Sequence, residues 1–394
     1  MQTENSKSLR IKTLTWTLRI ICGGLFIFSG FTKAVDPWGT IFKVSEYLAA
    51  LDFDIPFSLV RLGVFFLCAF EFIVGCFLAL GCFRKSCPVF AALIMCFMLP
   101  LSLWIAVMNP VSDCGCFGDA WHISNWATFI KNVVLSGGIV WLIFRNLVCP
   151  CLITPAFQWL AVLASGIFVL VIELIGYVYQ PLIDFRDYPV GSYLFADPYA
   201  DLQENNEEID EKLIDVFDVK TGDDLTHEVF DRQGKELIVM IPKVSVVSPA
   251  TTWKLNSLYE WSEENNVKMI GIVAGSPEEI DRWEDLSMAS YPIYLADDTT
   301  IEEIVRGNPG IVYLDKGKII WKSSLSAIDV DDFLSPEVGG DASAFGRDNT
   351  AILRNISLIY LIAIGFLVLI SFTPKLAHLL IRGGFASKKG VRHH

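Results

Sequence analysis

The chain has 394 residues, 53 % of them hydrophobic, and a mean hydropathy of +0.47, which is too long for one core and too apolar for an ordinary water-soluble protein. Its net charge of −13 is unevenly spread: residues 180–348 hold 35 of the 44 acidic side chains but only 14 of the 31 basic ones. An acidic body in water and a basic-flanked membrane part fit this split, and it speaks against nucleic acid as a partner.

Residues 1–13 read as a cytoplasmic N-terminus. Apolar stretches follow at 14–35, 57–82, 88–108 and 126–148, each long enough to cross about 30 Å of hydrocarbon as a helix. They predict a four-helix membrane domain over 14–148. A fifth stretch, 156–178, predicts another transmembrane helix within 149–178, and a sixth, 351–372, one within 350–373. No A-x-A pattern follows the first stretch, which therefore reads as an anchor, not a cleaved signal peptide. The basic residues, among them Arg10, Arg19, Arg84, Arg145 and Lys375, gather on one side when the N-terminus is cytoplasmic. In that orientation the loops 36–56 and 109–125 and the whole acidic segment face outward. The expected place is a bacterial inner membrane, with both termini cytoplasmic and the acidic domain periplasmic.

After a linker at 179–200, the segment 201–345 predicts a strand at 236–241, a helix at 250–265, a strand at 267–273 and a helix at 277–286. A strand at 291–295 and a short helix at 299–305 come next. Two strands around the turn Asp315-Lys316-Gly317 and a helix at 329–334 close the segment. This order resembles thioredoxin, and Pro309 stands where that fold places its cis-proline, although an ordinary trans turn fits the sequence too. A working thioredoxin needs Cys-x-x-Cys after the first central strand. Here that stretch, Lys243 to Ala250, holds no cysteine, so the domain reads as a docking or structural module. The basic residues 374–394 form a cytoplasmic tail. The expected fold class is a membrane all-α four-helix bundle, plus two further transmembrane helices, with a periplasmic α/β thioredoxin-like domain.

All ten cysteines lie at or before Cys151, so thiol chemistry belongs to the membrane part. The outer loop carries Asp113-Cys114-Gly115-Cys116-Phe117-Gly118-Asp119. Glycine lets the two sulfurs meet, and a disulfide across one residue is a strained, labile ring suited to exchange. A fixed loop staple fits the same pair. A metal site using Asp119 and His122 is a third reading, disfavoured by two hard or borderline ligands and a spacing that matches no standard zinc pattern. Protonated His122, if close, would favour the thiolate. Cys149-Pro150-Cys151 repeats the spacing on the opposite side, with Cys82 and Cys87, where free thiols are expected. Cys22, Cys68, Cys76 and Cys96 read as small buried hydrophobes.

Glu71 lies inside the second apolar stretch, where a carboxylate must be protonated, paired or facing a polar cavity. It reads either as a functional group or as a protonated acid bonded to a neighbouring helix. Lys33 and Arg61 are expected nearer the outer face, paired with loop acids. Gly23, Gly24, Ser29, Gly30, Gly75 and Gly81 read as close-packing residues.

Three pieces, Phe26-Ile27-Phe28-Ser29-Gly30-Phe31-Thr32-Lys33, the run from Glu71 to Gly81, and Cys114-Gly115-Cys116-Phe117-Gly118, resemble the DoxX and MauE-like (methylamine utilisation MauE) family over residues 14–147. The resemblance implies a four-helix bundle linked to disulfide formation or to sulfur and quinone redox chemistry. The reading of the residues agrees with it: a periplasmic dithiol held over a bundle suits electron transfer to a lipid-soluble acceptor, with Cys114 and Cys116 as the catalytic pair, Glu71 as a candidate proton carrier and His122 as the candidate that lowers the thiol pKa. No cofactor is fixed by the sequence; a quinone is the one this resemblance suggests. The expected partners are the lipid bilayer and a periplasmic thiol protein. A non-catalytic scaffold, whose redox-inactive domain recruits a periplasmic partner, is the competing reading, and a transporter using Glu71 is a third.

Overall fold

The structure, a computed structural model, describes residues 2–53, 55–110, 115–194, 214–231, 233–248, 251–335 and 342–389, with backbone only for 2–5, 246, 344 and 373–389. Cys114 and Asp113, residues 195–200 of the expected linker with 201–213 of the expected domain, Ala250 and the last five residues lie outside the described residues. The chain divides into two compact units, Met1–Glu173 with Thr350–His394, and Leu174–Asn349.

In the first unit, α1 (Gln2–Val35), α3 (Phe57–Leu80), α4 (Cys87–Met108), α5 (Asn125–Arg145), α6 (Gln158–Val178) and α11 (Asn349–Lys389) contain six helical segments long and apolar enough to cross a membrane. They coincide with the six apolar runs of the sequence. Helices α1 and α3 approach closely because glycines face each other: a Cβ at Gly30 would come within 2.5 Å of the Phe72 backbone nitrogen, and one at Gly75 within 2.5 Å of that of Ile27. Gly24 has no such neighbour and plays no packing role of this kind.

The stretch 36–56, expected as an outer loop, is not irregular. It holds α2 (Pro37–Ala50), started by Asp36, whose side chain accepts from the Gly39 N–H at 3.1 Å, and by Pro37 in the first turn. Both are helix-start signals that the sequence displayed. Arg19 also departs from expectation, being fully buried instead of lining the aqueous face. Its guanidinium donates to Asn146 Oδ1 and to the carbonyls of Asn146, Cys149 and Pro150. These carbonyls lie just beyond the end of α5, where helical partners run out. Among the cysteines read as buried, Cys96 is exposed on α4, whereas Cys22, Cys68 and Cys76 are buried.

The second unit is an α/β domain built on a six-stranded mixed sheet in the order β1-β4-β3-β2-β5-β6. The strands are β1 (Phe217–Asp218), β2 (Lys235–Ile241), β3 (Lys268–Val273), β4 (Ile293–Leu295), β5 (Gly310–Asp315) and β6 (Lys318–Ser324). Strands β2, β3 and β4 are parallel, and β5 and β6 form an antiparallel hairpin beside β2. Helices α7 (Thr252–Glu264), α8 (Pro277–Ser287), α9 (Asp298–Ile304) and α10 (Val330–Phe333) complete it. Along β2 the side chains alternate between two cores. Leu237, Val239 and Ile241 meet Leu258, Trp261 and Phe333, while Ile238 and Met240 meet Ile301 and Ile304. Burial on both faces explains why β2 reads as an unbroken apolar run. The two-residue edge strand β1 was too short to be foreseen.

Candidate functional site

Four groups converge in the bundle. On α1, Ser29 and Lys33 are four residues apart and share one helix face. Glu71 projects from α3, and Cys116 lies on the loop between α4 and α5, just before the 3-10 turn Gly118–Ala120. Lys33 Nζ donates to Glu71 Oε2 at 2.8 Å and to Ser29 Oγ at 3.0 Å. The Ser29 hydroxyl lies 2.8 Å from Glu71 Oε2 and 2.8 Å from the Cys116 carbonyl oxygen. Its single proton can serve only one of them at a time. Lys33 and Glu71 are almost wholly buried, with side chains 5 % and 3 % exposed, so the ion pair stands in low dielectric where each partner depends on the other.

Lys33 therefore pairs with the membrane carboxylate of α3, not with the loop acids expected for it. Ser29, read as a packing residue, clamps the Cys116 carbonyl to that pair.

Two cavities meet here. The smaller, ≈ 30 Å³, is lined by Ser29, Lys33, Glu71, Cys116 and Asn132 among others and has room for a water molecule. The larger, ≈ 430 Å³, lies between α2, α3 and α4 and shares Lys33 and Cys116 with the first. Phe117 is buried against Phe28 and Trp121, with centroids 5.2 and 5.8 Å away, and Lys131 Nζ lies 4.1 Å from its ring centre. The loop carrying Cys116 is thus pinned at its next residue.

Residues 11–145 match the family model described as Methylamine utilisation protein MauE. Over that stretch the chain is similar to the MauE family. The match covers α1 to α5, every element that contributes to the four-group cluster. Comparisons with curated proteins and with solved structures give no match.

Outside the MauE-family stretch, α6 carries Glu173, which sequence reasoning passed over within a long apolar run. It is completely buried, and neither carboxyl oxygen has a hydrogen-bond partner among the described residues. A charged residue in an apolar run was the signal that would have found it. His122 is exposed on the loop between α4 and α5. In the second unit the Asn308–Pro309 bond is cis, immediately before β5. The stretch after β2 is a 3-10 turn, Val244–Val246, in a segment without cysteine. No group of three or more His, Cys, Asp or Glu side chains suited to a metal occurs among the described residues.

Proposed function

We propose that the MauE-family part of this multi-pass membrane protein is a thiol–disulfide redox unit, with Cys114 and Cys116 as the couple and a quinone as the electron acceptor. The observation that carries this reading is the hydrogen-bonded line from the Cys116 carbonyl through Ser29 to the buried Lys33–Glu71 pair. Oxidising two thiols releases two electrons and two protons, and Glu71, which lines the same small cavity as Cys116, is the proton carrier. Lys33 stands beside it as the countercharge, 2.8 Å away. His122, on the same loop, is the candidate for adjusting the thiolate.

The orientation in this proposal follows the basic flanks: termini in the cytoplasm, the Cys116 loop and the acidic domain in the periplasm of a bacterial inner membrane. The acidic domain is read as thioredoxin-like on its parallel β2-β3 pair, antiparallel β5-β6 hairpin and cis-Pro309. Its lack of cysteine supports a partner-docking role for it, and in the alternative scaffold reading that role is the whole function.

A redox titration of Cys114 and Cys116 in the folded protein, followed by alkylation and mass spectrometry, tests the proposal. A disulfide that opens under mild reductant is expected. Two thiols that stay alkylatable in oxidising buffer, or a bond that survives millimolar-range dithiothreitol in the native protein, would leave the scaffold. Reporter fusions after Ser335 and at Lys389 test the orientation, the first active only when exported and the second only when retained.

A further inference from the structure

The larger cavity is an apolar slot with one polar end. Val44, Leu48, Val60, Val64, Leu67 and Leu101 give it its walls. At its rim Leu59 and Phe66 of α3 and Phe97 of α4 are exposed on helices long enough to span a bilayer, so its mouth faces acyl chains. At ≈ 430 Å³ it is far larger than the voids a close-packed interior leaves, and in a bilayer something fills it. The polar end is Lys33, beside Thr40, Lys43 and Tyr47 of α2. Helix α2 joins the end of α1 to the start of α3, which sets it at the level where hydrocarbon gives way to headgroups; Trp38, Lys43 and Tyr47 are residue types of that interface. An ammonium has three N–H donors, and Ser29 and Glu71 accept from two of those of Lys33. The third has no acceptor among the described residues, and a buried donor with a spare hydrogen calls for one. Glu71 already balances the charge of Lys33, and Glu46, 3.2 Å from Lys43, balances that lysine. The polar end therefore suits a neutral acceptor better than an anion.

We propose that this cavity is a binding site for a membrane glycerophospholipid, with one acyl chain in the slot, the ester carbonyl of that chain accepting the third N–H of Lys33, and the headgroup outside beside α2. The site goes beyond the redox reading and asks nothing of the thiols. Its lipid satisfies the spare donor and closes the open side of the Lys33–Glu71 pair, which then stands in low dielectric all round. Recognition runs through the chain and the carbonyl, so phosphatidylethanolamine and phosphatidylglycerol bind alike.

Gly63 gives a direct test, because it lines the cavity and a Cβ placed on it meets nothing within 4 Å. Gly63→Phe should fill the slot from the α3 side, Leu48→Trp from the α2 side, and Gly63→Ala should leave it open. The probe is a diester phospholipid with a photoreactive group in its acyl chain, in nanodiscs holding the full-length protein, with cross-links located by mass spectrometry. Val60 and Val64, which are buried, should be labelled in wild type and Gly63→Ala and about tenfold less in the two filled variants. Ile130 and Val134, exposed on α5, report the surrounding lipid and should be labelled equally in all four, which also shows that each variant is folded. Unlabelled diester phospholipid should compete about tenfold better than its dialkyl ether analogue, which lacks the carbonyl, and that preference should vanish in Lys33→Met/Glu71→Met. Equal labelling of Val60 and Val64 in filled and open variants overturns the site, and equal competition by ester and ether lipids overturns the carbonyl contact. Displacement of the probe by a decyl-tailed benzoquinone, where excess diester phospholipid fails to displace it, gives the cavity to another ligand and overturns the proposal.

Discussion

Each unit buries a lysine beside a carboxylate, and the two lysines are used differently. In the acidic domain Lys322 gives its three N–H groups to Asp184 and to the carbonyls of Tyr188 and Ile304. Asp184 also receives two hydrogen bonds from the Arg186 guanidinium and one from its backbone N–H. Burial alone would raise the Asp184 carboxyl, but the charges of Arg186 and Lys322 prevail and hold it below the usual range. Every donor of Lys322 is engaged, and the network ties the segment around Asp184 to β6. Lys33 in the bundle keeps one donor for a cavity. The difference separates a buried ion pair that closes a fold from one that leaves a hydrogen bond for an occupant.

The largest effects should come from breaking either pair. Lys33→Met strands Glu71 in the bundle and Asp184→Asn strands Lys322 and Arg186, each lowering stability by about 3–5 kcal/mol. Thermal unfolding of the full chain in detergent, with limited proteolysis to tell the units apart, checks both. The double variant Lys33→Met/Glu71→Met should regain most of the loss, because an apolar pair of similar volume replaces a buried ion pair at little cost. It should at the same time lose thiol cycling. A double variant as unstable as the single would mean that the pair is not the isolated unit its geometry describes.

A smaller effect should mark the acidic domain through Glu236 on β2. Burial raises this carboxyl to about 7, against the Asp231 N–H and the Lys268 charge, which lower it. The folded state therefore holds this proton more tightly than the unfolded chain does. The stabilisation is complete below the ordinary glutamate value and is lost as pH rises through about 7, a swing of about 3 kcal/mol. Glu236→Gln should flatten that dependence, so that unfolding of the domain at pH 5 and pH 8 differs less than in wild type. An unchanged slope would remove Glu236 as its source.

The smallest effect concerns Glu173. An unpartnered buried polar group costs about 1–3 kcal/mol, so Glu173→Leu should hold or raise the stability of the bundle. A clear loss would show that the carboxyl has a partner in the membrane, and would bring it closer in kind to Glu71.

The sequence displayed what depends on local pattern. Six apolar runs became six candidate spans, and the strands and helices from β2 to α10 fell within a few residues of their expected places, because periodicity and turn residues such as Lys316-Gly317 determine them locally. Helix α2 was legible as well, in Asp36-Pro37, but the apolar stretches on either side drew the reading toward a loop. The partners of Glu71 were not legible. Lys33 lies 38 residues upstream on another helix, and only the packing of α1 on α3 brings the two together. The larger cavity was invisible for the same reason, since its walls come from three helices. Cys116 was singled out from the loop motif alone; its link to Ser29 needed the fold.

The seat of Arg19 has a consequence for how the bundle is made. This residue enters the bilayer with the first helix, yet the carbonyls that accept its hydrogen bonds belong to residues 127 to 131 positions later. While the ribosome is still producing α3 and α4, the cation has none of these acceptors. It must remain at the lipid headgroups or in the company of the insertion machinery. Emergence of Pro150 lets the guanidinium lock, so the first helix to be made is among the last to settle.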